Sequence, residues 1–476
     1  MGLLRALVLS LLLVGNVWAG TYYASPTGSD TWANSTNIST PCSVTTALAN
    51  AAAGDTVFFR GGTYTDYDLV FTNSGSSGNQ ITLKNYPGET PIFNAGFTVP
   101  GTPSSTFHPI FDIDGKNYIT LDGLEMTQGL RANIRLAYNI ATDHIIIQNC
   151  NLHNIVCYDN SGQVYFGGGG ASNVTIQNNL LHDLYNYADC TSSAGLLIFN
   201  AGDNLIIQNN EMYTTHKAIF YKHSDNANYA TTIRNNLIYN QIDTLGAIVL
   251  SMQHVQVTNN IIRDSSKAIW LWHDDAACTD LMTEYVNVSH NTVVDCTQGI
   301  VLDRKWVLGV KCDGANHTTI TNNLVYGFTG TEHRGLSIHP SWSGNDATIN
   351  SGDETDESAT ALTYNLFYSS TVSKPITILS NSPASPYAGN FNMITTCPAS
   401  FTTCSNNTQS APTFVDYAGN DFTLTSESVG YHAASDGTDM GANIALVGTG
   451  YIPSVSIGTG TPNVTIGTGV GNWTIQ

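Results

Sequence analysis

The chain has 476 residues, only 11% of them charged, and its 16 Lys+Arg against 36 Asp+Glu leave a formal charge of −20. That acidic field argues against nucleic acid and anionic membranes as partners, because like charges repel along the whole approach. A polyanionic substrate is disfavoured as well, unless a local basic patch or a bound cation reverses the sign.

Met1 to Ala19 carries one Arg, an apolar run from Ala6 to Val14, and a small residue after Val17-Trp18. It reads as a secretory signal peptide cut near Ala19, with an apolar run too short to span a bilayer. No later stretch reaches the roughly 18 apolar residues that a membrane helix needs, so the mature chain is expected to be soluble and extracellular. Nine cysteines then permit disulfides and leave one over. Cys397 with Cys404 is the first expected pair, two of Cys278, Cys296 and Cys312 form a second staple, and Cys150 is expected to be a buried, inert thiol. No C-x-x-C pair is present, which argues against a zinc site of that kind.

After the leader come TYYASPTGSD (21–30), then VTTALANAAAGD (44–55), then TVFFRGGTY (56–64). The Ala/Leu spacing ending at Gly54 predicts a short amphipathic helix that plugs the open end of a β-stack. ITLKNYPGETPIF (81–93) and YITLDGLEM (118–126) read as its first full coils.

Eight near-copies of one phrase follow, from IIIQNCNLH (145–153) to ALTYNLFYS (361–369), each a β-branched run, an Asn-bearing corner and a second apolar run. The corner positions are Cys150, Asn179, Asn210, Asn236, Asn260, Asn291, Asn323 and Asn365, so the shortest coil is near 24 residues and the rest is insertion. A repeat of that size cannot bury its apolar face alone and must stack into a solenoid. Asn suits such a corner because it tolerates left-handed backbone angles and its amide can bond the same residue one coil away. The pattern over residues 21–442 resembles the all-β, single-stranded right-handed parallel β-helix of the pectate-lyase-like superfamily. The three phrases at residues 21–64 are similar to the N-terminal cap of its secreted polysaccharide lyases, and 412–442 to their closing segment. Residues 443–476 form a Gly/Thr-rich tail that could be a linker, a strand pair or a contact for self-association.

A second strand aligns on a small residue in six coils: GLLIFN (195–200), AIFYKH (218–223), AIVLSM (247–252), AIWLWH (268–273), GIVLDR (299–304) and GLSIHP (335–340). Period-two alternation turns Leu196 and Ile198, and their counterparts through Leu336 and Ile338, into the core. The third and fifth columns then face outward, and they hold Leu197, Phe220, Val249, Trp270, Val301 and Ser337, and Phe199, Lys222, Ser251, Trp272, Asp303 and His339. An apolar outer stripe broken by Lys, Asp and His is expected to be an open groove where sugar rings stack. Coils lie about 4.8 Å apart, which sets His273, Asp274 and Asp275 beside Arg304 and Lys305, with Lys222 and His223 two coils back. The insertions 274–285 and 306–317 would wall the groove. Phe220, His223, Trp270, Trp272, Trp306 and Trp342 are the expected sugar-binding residues.

By resemblance, β-elimination on a uronate polymer is the expected chemistry, needing a base for the proton α to the carboxylate and a cation to neutralise that carboxylate. Lys222, Arg304 or Lys305 could be the base, with His273 and His339 as alternatives. Asp274, Asp275, Asp280 and Asp303 could hold Ca²⁺. A hydrolase would instead need two or three carboxylates on one sugar bond, which Asp274, Asp275 and Asp303 could supply. An adhesin or structural fibre is the reading from a different class.

Overall fold

The computed structural model describes residues 19–98, 106–184, 190, 192–199, 202–222, 230–242, 246–272, 283, 285–303, 306–307, 310–311, 317–330, 334–339, 360–378, 389–391 and 401–448. Among them the strands fall into three long sheets of thirteen, twelve and eleven strands. A typical coil gives one strand to each: Ala171–Gln177 to the first, Leu180–His182 to the third and Ala194–Ile198 to the second. Neighbouring coils pair in parallel, as in Leu205↔Thr231 and Ile219↔Ile248. An antiparallel pair, Ile376–Ile378 with Gly389–Phe391, closes the twelve-stranded sheet.

Alternation places Ile145, Ile147, Val174, Ile176, Leu205, Ile207 and Ile233 in one fully buried core that runs the length of the stack. Each such side chain contributes about 1.5–3 kcal/mol by leaving water. On the outer side of the eleven-stranded sheet, the rings of His153, His182, Tyr213 and Tyr239 stack at 5.0, 4.9 and 5.0 Å.

At the corner, two jobs assigned above to one residue fall on two. The first position takes the left-handed turn, with φ of 55° at Asn178, 54° at Asn209 and 57° at Asn235. The second is fully buried and carries the ladder: Asn210 Oδ1 accepts from the backbone N–H and the Nδ2 of Asn179, both at 3.0 Å. Asn210 Nδ2 in turn donates to Ile176 O at 2.9 Å and to Asn236 Oδ1 at 3.0 Å. The same pattern continues through Asn260, Asn291, Asn323 and Asn365 to Asn407, one rung beyond the expected column.

The early helix spans Val44–Asn50, with the Ser43 hydroxyl accepting from Thr46 N–H at 3.1 Å, and buries Val44, Ala47 and Leu48. It is shorter than the expected 44–55 because Ala51 turns to extended angles. Thr21–Ala24 and Thr56–Phe59 already pair in parallel, and the latter pairs with Ile81–Asn85, so the stack begins two rungs before the Ile81 coil.

One described disulfide lies outside the expected pairs. Cys157 bonds Cys190, joining the insertions of two successive coils. Cys296 is a free, buried thiol, which removes it from the proposed staple; Cys278, Cys312 and Cys397 lie outside the described residues. Cys404 is disulfide-bonded. Cys150 is buried and free as expected, and burial pushes its thiol up to about 12.

After the last coil the chain runs back along the corner. Gly441 N–H donates to Asn322 O at 2.7 Å, Ala442 N–H to Thr292 Oγ1 at 2.8 Å, Asn443 N–H to Asn259 Oδ1 at 2.6 Å and Gly448 N–H to Asn235 O at 3.1 Å. The tail beyond Gly448 lies outside the described residues.

The division of labour at the corner is testable by denaturant unfolding. Asn236→Ala strands the buried Asn210 N–H and Ile207 carbonyl and lowers stability by about 1–3 kcal/mol. Asn235→Gly keeps the left-handed angle and changes it by less than about 1 kcal/mol. Equal losses in the two variants would refute the split.

Candidate active site

The outer face of the twelve-stranded sheet carries one column of aligned residues: Asp112, Arg135, Tyr165, Leu197, Phe220, Val249, Trp270 and Val301. The expected six-coil alignment holds, and its inward partners from Leu196 to Leu336 are fully buried. The expected open stripe does not hold. Leu197, Val249 and Val301 are 0% exposed, Phe220 3% and Trp270 8%, and they form a second apolar cluster separate from the core. Alternation points these side chains outward, but Phe199, Trp272 and Tyr138 pack over them. Trp272 is half-buried, 5.2 Å from the Trp270 ring and 5.9 Å from Phe220.

Cations lie against these rings. Lys217 Nζ sits 4.9 Å from the Phe220 ring centre, Lys222 Nζ 5.1 Å from Phe220 and 5.3 Å from Phe199, and Lys267 Nζ 4.7 Å from Trp270. Further up, the Arg131 guanidinium lies 4.1 Å over Phe107 and the Arg135 guanidinium 4.4 Å over Tyr138. Five of the chain's 16 basic residues therefore share one face of a −20 protein. Ring faces are negative and replace part of the water these charges give up.

The cations are also held in place by polar groups. Lys222 Nζ donates to Asn160 Oδ1 at 2.7 Å, although 62 residues separate the two. Asn160 is fixed in turn, since its carbonyl and that of Asp159 accept from Arg131 Nη2 at 3.2 and 2.8 Å and its Nδ2 donates to Asp159 Oδ2 at 3.0 Å. The Cys157–Cys190 disulfide anchors the start of this loop. Arg135 makes a two-point ion pair with Asp112, at 3.1 and 2.5 Å. Burial draws the Arg131 guanidinium below its ordinary range and pushes the Tyr165 phenol up to about 12, so Tyr165 stays protonated across the physiological range.

The family description "Pel9A-like, right handed beta helix region" matches residues 22–196, and "Right handed beta helix region" matches residues 113–281. The crystal structure of pectate lyase Pel9A superposes with a TM-score of 0.54 at 16% identity, covering 88% of this chain and 95% of that one. The chain has the right-handed parallel β-helix fold and is similar to pectate-lyase-like proteins over residues 22–196. Pectate lyase PEL9 from Emericella nidulans is 40% identical over 90 residues, which span 18% of this chain and 21% of that relative. A rhamnogalacturonan lyase structure matches at 15% identity with a TM-score of 0.49, over 70% of this chain and 90% of its own.

On this β-helix, the structure gathers Phe220, Lys222, Trp270 and Trp272 on one face, as expected. Asp303 and His339 are register partners at the end of adjacent strands, and Trp306–Val307 pairs with Val310–Lys311 as a small hairpin. His223, His273, Asp274, Asp275, Asp280, Arg304, Lys305 and Trp342 lie outside the described residues. Among the described residues, no three His, Cys, Asp or Glu side chains converge as a cation site. Sequence reasoning missed Arg131, Arg135, Tyr165, Lys217 and Lys267. Extending the alignment two coils upstream, to NIRLAY (133–138) and QVYFGG (163–168), where a polar residue replaces the small one, sets Arg135 and Tyr165 in the outward third column, and the repeated pairs Lys217-Ala218 and Lys267-Ala268 mark the lysines.

Replacing both Cys157 and Cys190 by Ser should lower stability by about 3 kcal/mol, given the loop of 33 residues that the bond closes. Denaturant midpoints of the parent under oxidising and reducing conditions, beside the double variant, check this; an unchanged midpoint would mean the loop holds without the bond.

Proposed function

We propose that the chain is a secreted polysaccharide lyase that cleaves a uronate-containing polymer by β-elimination along the outer face of the twelve-stranded sheet. The observation that carries the reading is the strip of Arg131, Arg135, Lys217, Lys222 and Lys267 among aromatic rings in an otherwise acidic chain. It supplies the local reversal of sign that an anionic polymer requires. The lyase names of the matched relatives agree with this class.

In the proposed step a base removes the proton on the carbon α to the uronate carboxylate. The electron pair left behind forms the ring double bond as the bond to the β oxygen breaks, and the departing oxygen takes up a proton. Lys222 is the proposed base, because it is half-buried, aimed by Asn160 and flanked by rings that exclude water. The neighbouring cations steady the charge that grows on the carboxylate. Arg304, Lys305, His273, His339 and Asp303 remain proposed members of the site at its far end. Ca²⁺ held by Asp274, Asp275 and Asp280 is likewise proposed as a further source of positive charge, and no step here runs through it. Trp272 is the proposed sugar platform, with Trp306 and Trp342 beyond it.

The test is turnover on a panel of uronate polymers, read by the ultraviolet absorbance of unsaturated ends and by new reducing ends. Lys222→Ala should lower product release by about 10²- to 10⁴-fold with polymer binding retained. Trp272→Ala should weaken binding by roughly tenfold, the loss expected for one stacking ring. Reducing ends without the absorbance would make the protein a hydrolase. Polymer binding with neither signal would make it a non-catalytic binding protein.

A further inference from the structure

The start of the described chain holds a carboxylate whose partners among the described residues are neutral backbone groups. Asp55 is 4% exposed and immediately precedes Thr56–Phe59, the second strand of the thirteen-stranded sheet. Among the described residues its oxygens accept two neutral backbone groups, Gly20 N–H at 2.8 Å and Ala52 N–H at 2.9 Å. A buried carboxylate without a charged partner is costly, and a donor that becomes cationic converts that cost into an attraction.

Gly20 is that donor. Its carbonyl accepts from Thr56 N–H at 2.9 Å, so residue 20 is locked to the first rung from both sides of its peptide. A side chain at position 20 would press on the far end of the Tyr22 ring, which is itself stacked 3.6 Å from Trp32. Ala19, one residue earlier, is exposed. Gly20 is therefore held by the fold through both its N–H and its carbonyl.

We infer that Ala19–Gly20 is the processing site and that the new α-ammonium of Gly20 docks on Asp55 as a buried ion pair. The inference rests on reading residues 1–19 as a leader. The cut is a hydrolysis by an endoprotease that accepts a small residue before the scissile bond. Water adds its hydroxyl to the Ala19 carbonyl and a hydrogen to the Gly20 nitrogen, and the amine then takes a proton from solvent. Maturation converts the neutral N–H···carboxylate bond into a charge-assisted one. The first rung of the stack is thereby tightened only after the leader has gone.

The experiment has two independent arms. Intact-mass analysis of the chain secreted by an exporting host should give a first residue of Gly20; any other start overturns the inference. On that mature chain, an amine-acylating reagent at neutral pH should label the Gly20 amine at least about tenfold more slowly in the folded protein than in guanidinium, because each unit of raised amine pKa leaves tenfold less free amine. Asp55→Asn should abolish that protection. Should Asp55→Asn fail to fold, a chain retaining Ala19, whose amine is displaced by one residue, provides the comparison and should label at the unfolded rate. Equal labelling of folded and unfolded mature chain would overturn the ion pair even where the cut is at Gly20, which separates failure of the docking from failure of the leader reading.

Discussion

The amide-to-amide ladder at the corner is the constraint from which the rest of the architecture follows. Each buried Asn accepts two N–H groups from the coil before it and donates to a carbonyl of that coil and to the next amide. An amide that must reach the same position one coil away leaves no freedom in register, because a slip of one residue would turn the core side chains outward. Extra residues are consequently excluded from the rungs and appear as insertions. Those insertions carry the loop with Asn160 and the disulfide beside the outer face. The geometry of the candidate site is thus inherited from a polar column on the far side of the coil.

That site solves an electrostatic problem peculiar to this chain. Lys217 is 0% exposed and Arg131 9%, levels of burial at which an uncompensated charge is strongly disfavoured. Phe107 and Phe220 present their faces to these cations, as Trp270 does to Lys267, and backbone carbonyls of the 157–161 loop take the Arg131 hydrogens. The outward column is apolar because it serves as a floor for cations, a different use from the bare sugar-stacking surface that alternation alone suggests.

The solenoid, its core columns and the Asn ladder were legible because each is a short-range pattern repeated many times, so that one misread coil is corrected by its neighbours. Phe220, Lys222, Trp270 and Trp272 were legible for the same reason. Burial of Leu197, Val249 and Val301 was hidden because alternation states which side a residue faces and says nothing of what lies over it. The contact between Lys222 and Asn160 was hidden because it joins a strand end to an insertion 62 residues earlier. Pairing of Cys157 with Cys190 depends on how two insertions fold over adjacent coils, which spacing does not encode. Arg135 and Tyr165, by contrast, obey the same column rule as Phe220 and were within reach of a longer alignment.

The returning run from Gly441 to Gly448 changes how such a stack comes apart. A simple repeat array frays from either end, one coil at a time, because each coil touches only its neighbours. Here one continuous segment bridges the corners at Asn322, Thr292, Asn259 and Asn235, linking residues as far apart in the chain as Gly448 and Asn235. The coils beneath it cannot peel away singly without first shedding a strap that the chain adds after its last coil. The molecule therefore has a polarity in its unravelling: the coils from Asn235 to Asn322 are bundled into a single block with a shared threshold, whereas those upstream are held by their neighbours and, at Cys157–Cys190, by one disulfide.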